Sequence, residues 1–363
     1  MPFARAVRTA RLVRAASRAH RAPFHRVALR LVRMVRDGWE MNDLVLLGLL
    51  DPREGPAREA WAVKRVDLEA AQDAINPQEE IERMADKRRF ATIAAEHGLA
   101  TPPVLATLRR SGTDQDTLAD WSARLRASAP AEFVVKPLTG MSARGVRVLH
   151  RDGDGVADHA GVRMRWQDLA AAMLSDAEAF VVQPRLRPHP ALREATGQEG
   201  LHTLRIITLL PRTGAPEVLY AVLRIVTGGA AVDNFRVAGG GVTGNLIARV
   251  EADGTLAAPF RMSPDGHGLV RVHEHPDTGR RLTGMRVPDW DDCVALALRA
   301  AAAFPKLPCP GWDIAPTDQG PVIVEGNGGW RASADPDGAL VTLLGRLRRA
   351  ADERSRPEPQ AVR

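Results

Sequence analysis

Cysteine is nearly missing from this 363-residue chain, with only Cys293 and Cys309. Two thiols cannot build a disulfide framework or a four-cysteine metal site, and they fit a reducing compartment, here expected to be the cytoplasm. Uninterrupted apolar stretches are short: the longest, Leu44 to Leu50, contains a glycine and falls far below a membrane span. Lysine is scarce too, with Lys64, Lys87, Lys136 and Lys306 the only four among fifty basic residues. Where arginine is the default cation, a lysine marks a place that needs a compact ammonium rather than a planar fork. No lysine follows a glycine, which excludes a Walker-type phosphate loop. Residues 1–36 contain ten arginines and no acidic residue, so the overall charge of +6 leaves −4 on the remainder. That negative body, with aromatics at only 4%, argues against a specific nucleic-acid partner.

The hydrophobic content of 45% and charged content of 26% are those of a folded chain of about two domains. Arg5, Arg8, Arg11, Arg14 and Arg18 recur every three or four residues and stripe one face of a helix that Pro23 ends. This segment reads as a solvated, arginine-rich leader whose loss leaves the body intact. Peripheral contact with anionic lipid or nucleic acid, or an organelle transit peptide, are the other readings. Residues 27–85 read as amphipathic helices broken at Asp51-Pro52 and Asn76-Pro77, and Asp86–Leu99 as a further helix closed by Gly98. β-Branched runs follow at Phe133–Val135, Val146–Val148 and Phe180–Val182. Longer ones lie at Thr203–Leu210, Val218–Val226, Asn245–Val250 and Val322–Glu325. Helices fall between them without a regular βαβ alternation, which predicts an α+β fold with mostly antiparallel sheets. The expected organisation is a helical extension (1–85), two α+β units (86–182 and 183–350) and a disordered tail (351–363).

Three segments carry chemistry. Gly239–Gly244 fits the pattern GxGxxG, but a strand-like run from Asn245 follows it where a dinucleotide fold needs a helix, so that reading is rejected. Phe133-Val134-Val135-Lys136 delivers a lysine to a strand end before a loop, Thr139 to Gly145, rich in glycine and hydroxyls. Free backbone N–H groups and an ammonium there suit polyphosphate, and the glycines would let the loop close as a lid. An ordinary exposed hairpin is the alternative. Near the end, Gly311-Trp312-Asp313-Ile314 and Val322-Ile323-Val324-Glu325-Gly326-Asn327 flank a turn at Asp318-Gln319-Gly320. A three-residue loop would set Asp313 opposite Glu325, with Asn327 on the same face as Glu325, although a one-residue slip in register would undo it. Opposed carboxylates repel unless something neutralises them, and an Asp–Glu–Asn set of hard oxygens suits Mg²⁺. A solvent-facing hairpin is the alternative here.

These segments, with Lys87, Thr203-Leu204-Arg205-Ile206, Val222-Leu223-Arg224, Asp233-Asn234-Phe235 and the following Gly239-Gly240, resemble the ATP-grasp ligase signature in order and spacing. Val182-Gln183, Arg185–Pro190 and Gly311-Trp312-Asp313 are similar to the sugar-transfer-associated subfamily, which is linked to cell-surface polysaccharide synthesis. The resemblance covers roughly residues 86–331 and implies an ATP-grasp architecture, two α+β subdomains clasping ATP. It implies that Lys87 and Lys136 bind the ATP phosphates and that Thr139, Gly140 and Gly145 belong to the lid. Gln183 and Leu186 would border the adenine, with Pro184 standing where the family often has a glutamate. Asp313, Glu325 and Asn327 would hold two Mg²⁺ ions (or Mn²⁺), and Arg205, Arg224 and Asn234 would serve the transferring phosphoryl group and the substrate. His189 and His202 read as structural. The implied activity joins a small-molecule carboxylate to an amine, or less often a hydroxyl or thiol, through an acyl phosphate. A small-molecule kinase and a non-catalytic nucleotide-binding accessory factor of a glycan machine are the alternatives. The carboxylate, the nucleophile, the pathway and the oligomeric state are not written in the motifs.

Overall fold

The computed structural model describes residues 2–109, 117–139, 145–235, 243–332 and 335–356. Its first part is helical: α1 (Pro2–Ala19), α2 (Phe24–Arg36), α3 (Met41–Leu46), α4 (Gly55–Glu59), α5 (Arg65–Asp73), α6 (Gln78–Ala85) and α7 (Lys87–Glu96). Next come β1 (Ala106–Arg109), α8 (Leu118–Ser128), β2 (Glu132–Pro137), β3 (Arg147–Asp152), β4 (Gly155–Asp158), β5 (Arg163–Met164), α9 (Trp166–Asp176) and β6 (Ala179–Pro184). The chain continues through α10 (Pro190–Thr196), β7 (Thr203–Leu209), β8 (Glu217–Ile225), β9 (Leu246–Arg249), β10 (Phe260–Met262) and β11 (Leu269–Arg271). It closes with α11 (Trp290–Ala303), β12 (Gly311–Thr317), β13 (Gly320–Asn327) and α12 (Ala339–Ser355).

Two sheets result, of six strands in the order β1-β6-β2-β3-β4-β5 and seven in the order β11-β10-β9-β8-β7-β12-β13. Every strand pair among the described residues is antiparallel, as the α+β expectation requires. β5 and β1, of two and four residues, carry too little periodicity to be seen in sequence.

Alternation along each strand decides what each sheet face meets. On the first sheet Phe133, Val135, Phe180 and Val182 pack with Trp121 and Leu125 of α8 and Trp166 and Met173 of α9. On the second, Leu204, Ile206, Leu223 and Ile314 pack with α11 and with Met84 and Phe90 from α6 and α7. The opposite face, through Ile207, Leu209, Tyr220 and Val222, receives α1, α2, α3 and α5 of the helical extension, and α12.

Two expectations fail. Residues 1–20 are not a detached leader: Val13 and Ala16 are buried in one cluster with Val27, Leu31 and Met34 of α2 and with Tyr220 and Trp330. Arg11, Arg14 and Arg18 do face solvent, but the valine and alanine side of α1 lies opposite them and packs. Nor does order end at Ala351, because α12 runs to Ser355 and Arg354 donates to the Leu210 carbonyl. Residues 357–363 lie outside the described residues. Asn76, read from sequence only as a helix break, is a buried clip. Its amide donates to the carbonyls of Cys309 and Gly328 and accepts from the Cys309 N–H, all at 2.8 Å.

If α2 is docked as described, Met34→Ala costs about 2–5 kcal/mol in chemical denaturation, whereas Leu29→Ala on the outer face stays within about 0.5 kcal/mol. Equal effects at the two positions would contradict the packing.

Candidate functional site

The face of the first sheet that is not covered by α8 and α9 looks across a cavity of about 1180 Å³ at the second sheet. Glu132, Val134 and Lys136 line it from β2, alternating with the buried Phe133 and Val135. Thr203, Arg205 and Ile207 line it from β7, and Tyr220, Val222 and Arg224 from β8. The volume exceeds the ~300–1,000 Å³ usual for one small ligand.

Asp313 comes to this cavity from β12, and Glu325 and Asn327 from β13. The pairing of Asp313 with Glu325 is present, but not for the reason the sequence offered. The turn is the two-residue Asp318-Gln319, with Thr317 opposite Gly320, and regular pairing from it sets Ile314 opposite Ile323. Continued without interruption, that register would give Asp313 to Val324 and turn Glu325 into the core with Ile323. A bulge between Asp313 and Ile314 takes up the extra residue, so Ile323 stays in the core while Glu325 and Asn327 face the cavity.

Gly326 between them has a packing role. A Cβ there would meet Met84 Sδ at 2.6 Å, Trp312 at 3.0 Å and Phe90 at 3.2 Å. Its absence lets α6 and α7 lie against β13. Lys87 is the first residue of α7, whose N-cap Asp86 accepts from the N–H groups of Arg88 and Arg89. Seated this way, Lys87 Nζ stands 3.3 Å from Glu325 Oε1. Lys136 enters from the other sheet, buried, with Nζ 3.4 Å from the Val324 carbonyl. Burial pushes its ammonium down to about 8; Glu325 and Asp313 oppose that shift and Lys87 reinforces it.

Behind the rim lies a buried ion network. Arg205 grips Asp313 with both prongs, Nε to Oδ1 at 2.5 Å and one terminal nitrogen to Oδ2 at 2.9 Å. Arg224 approaches both oxygens of Asp313 at 3.4 Å and Asp233 Oδ1 at 4.0 Å. Burial alone would raise the Asp313 carboxyl; Arg205 and Arg224 outweigh it and hold the group below the ordinary range. Asp233 is shifted the other way, raised by burial against Arg224 and the Thr203 hydroxyl that donates to it.

Ten of the thirteen residues singled out from sequence therefore share one cavity: Lys87, Lys136, Gln183, Leu186, Arg205, Arg224, Asn234, Asp313, Glu325 and Asn327. Thr139 is exposed beside β2, and Gly145, at φ +75°, closes against Pro137; neither lines the cavity. Gly140 lies outside the described residues, as do Gly239 and Gly240, while β9 does follow as the strand that excluded a dinucleotide fold. Gln183 donates its amide to the Pro102 carbonyl at 2.9 Å, bracing the strand end. His189 caps α10, accepting from Ala191, and His202 is held by Thr196 and the Val226 N–H. Burial presses His202 down to about 3, so it is neutral and structural. Sequence reasoning missed Asp233 as a site residue, although it adjoins Asn234. It also missed Glu132, whose place one period before Val134 and Lys136 puts it on their face.

Among the described residues no group of three or more His, Cys, Asp or Glu side chains could hold a metal. The oxygens of Glu325 and Asn327 still fit Mg²⁺, which takes one or two carboxylates and completes its shell with phosphate and water. Asp313 is committed to Arg205 through both oxygens, and the Asn327 amide nitrogen lies 3.4 Å from Asp313 Oδ2. Of the three, Glu325 and the Asn327 side-chain carbonyl are thus the oxygens not committed to Arg205.

The sequence matches the family described as sugar-transfer-associated ATP-grasp over residues 70–338. No curated protein matches it. Among solved structures it is similar to VanG D-Ala:D-Ser ligase from Enterococcus faecalis, at 11% identity over 74% of this chain and 62% of that one, TM-score 0.43. It is similar to D-alanine–D-alanine ligase from Coxiella burnetii, at 13% identity over 75% and 58%, TM-score 0.39. A third likeness is to biotin carboxylase from Campylobacter jejuni, at 10% identity over 78% and 50%, TM-score 0.43. The chain spans 50% to 62% of the length of these proteins, a likeness too distant to carry activity or substrate over.

Competitive acylation of the free protein across a pH series, read by mass spectrometry, should give Lys136 a titration midpoint near 8. A midpoint at the ordinary lysine value of about 10.4 would contradict the buried placement.

Proposed function

This chain belongs to the sugar-transfer-associated ATP-grasp family, and on that premise we propose that it is an ATP- and Mg²⁺-dependent ligase. The proposed reaction joins a carboxylate to an amine, or to a related nucleophile, through an acyl phosphate. The observation that carries the reading is the meeting of Lys87, Lys136, Arg205 and Arg224 with Asp313, Glu325 and Asn327 around one cavity.

A carboxylate is an anion and a poor acceptor for an anionic γ-phosphate. Phosphoryl transfer asks little of a protein beyond positioning the partners and neutralising that encounter. Lys87 and Lys136 approach from opposite walls and are placed to grip the phosphates, the buried Lys136 in surroundings where its charge is poorly screened. Phosphate oxygens at Lys87 would compete with Glu325 for its ammonium and would leave the Glu325 carboxylate available to hold a cation. Bound Mg²⁺ would supply charge neutralisation at the phosphates, held by Glu325 and Asn327 with Asp313 behind them. Arg224, within 3.4 Å of Asp313 and facing the cavity, is placed to hold the carboxylate being activated. The acceptor oxygen attacks the γ-phosphorus, ADP leaves, and the amine then displaces phosphate from the acyl carbon. The loop from Thr139 to Gly145 is assigned the role of excluding water meanwhile. The volume leaves room for a second substrate beside the nucleotide. The proposed setting is cell-surface polysaccharide or small-molecule conjugate synthesis, a reading supported by the family's description as sugar-transfer-associated.

ADP release should depend on a carboxylate and an amine together, found by screening pooled amino acids, sugar acids and amino sugars and weighing the product. Glu325→Ala should reduce Mg·ATP turnover by at least about 100-fold with the thermal midpoint unchanged. Turnover surviving that change refutes the metal role; ADP without inorganic phosphate marks a kinase instead.

A further inference from the structure

Away from the cavity, the outward face of α1 and α2 holds exposed apolar and basic side chains, most of the basic ones without an ion pair among the described residues. α2 turns Val27, Leu31 and Met34 into the core. On its other side Leu29 and Val32 stand 69% and 66% exposed, with Val35 at 46% and Phe24 at 47%. Leu29, Val32 and Val35 recur every third residue and so form one stripe. Arg26, Arg33 and Arg36 are exposed among them, and Arg11, Arg14 and Arg18 face solvent from α1. Arg30 and Arg33 are paired with Glu59. Among the described residues, Arg11, Arg14, Arg18, Arg21, Arg26 and Arg36 enter no ion pair. The whole stretch to Arg36 contains no acidic residue.

Guanidinium groups alone would suit any polyanion, and an apolar stripe alone would suit another protein. Interleaved on one helix face, they match the boundary between acyl chains and anionic headgroups, where the apolar side chains sink a few ångströms and the cations stay with the phosphates. Nucleic acid fits less well, because Leu29 and Val32 would then be pressed against phosphates with nothing to stack or read. Crossing the bilayer is a different matter, since no helix among the described residues is long and apolar enough for it. We propose that the outer face of the α1–α2 pair docks on an anionic lipid surface, with Leu29, Val32 and Val35 inserted and the arginines on the headgroups. The inner face of the same pair rests in the cluster that contains Tyr220 and Trp330, both in the cavity wall, so docking holds the cavity at a set position over the lipid.

The test is flotation of the full chain with phosphatidylcholine vesicles containing phosphatidylglycerol, at physiological ionic strength and without nucleotide, so that it is independent of the ligase reading. The chain should float with these vesicles and not with pure phosphatidylcholine. Arg26→Gln with Arg36→Gln should lower the partition coefficient roughly 10- to 30-fold. Leu29→Ser with Val32→Ser should lower it roughly tenfold or more, with an unchanged thermal midpoint because both positions are exposed. No flotation with the anionic vesicles, equal flotation with neutral ones, or an apolar double variant that floats like the parent would each overturn the proposal. So would retention on single-stranded RNA in place of the vesicles.

Discussion

A carboxylate taken out of water has to be met by cations, and Asp313 is met by two. Removing one partner of such a buried pair costs about 3–5 kcal/mol, because the other charge is then stranded. That penalty fixes Arg205 on β7, Arg224 on β8 and Asp313 on β12 relative to one another, across three strands of the larger sheet. Asp233, joined to Thr203 and near Arg224, extends the network to the loop beyond β8. The charged side chains on that sheet face are therefore held against one another without a ligand, which is the preorganisation that electrostatic catalysis draws on.

Two backbone devices bring the remaining groups to this frame. The bulge in β13 lets Ile323 remain in the core while Glu325 and Asn327 turn toward the cavity. The missing side chain at Gly326 lets Met84 and Phe90 approach, and the helices they belong to set Lys87 against Glu325. Asn76 ties the helical extension to Cys309, just before β12, and to Gly328, just after β13. The extension is thus part of the scaffold, with its inner face in the core and its outer face left for a surface contact.

The sequence was most informative where one residue type had to serve one purpose. Four lysines among fifty basic residues made Lys87 and Lys136 conspicuous, and both line the cavity. Period-two alternation showed that Glu325 and Asn327 share a face, and that is their arrangement. Other features depend on contacts distant in sequence and could not be read locally. The turn before β13 is one residue shorter than its sequence suggests, and Asp313 still pairs with Glu325 because a bulge supplies the missing residue. The arginine stripe of α1 was legible, whereas burial of Val13 and Ala16 depends on α2 and on strands about two hundred residues away. The neutralisation of Asp313 by Arg205 spans 108 residues and leaves no local pattern.

The central claim is that one nucleotide binding place lies between the two sheets, with phosphates held from both walls. A crystal structure of the chain with Mg²⁺ and a non-hydrolysable ATP analogue tests it directly. The account predicts β- and γ-phosphates between Lys87 and Lys136, the ion on Glu325 and Asn327, and the Lys87–Glu325 pair opened from its 3.3 Å separation. Nucleotide bound elsewhere, or phosphates in the cavity that touch neither lysine, would contradict it.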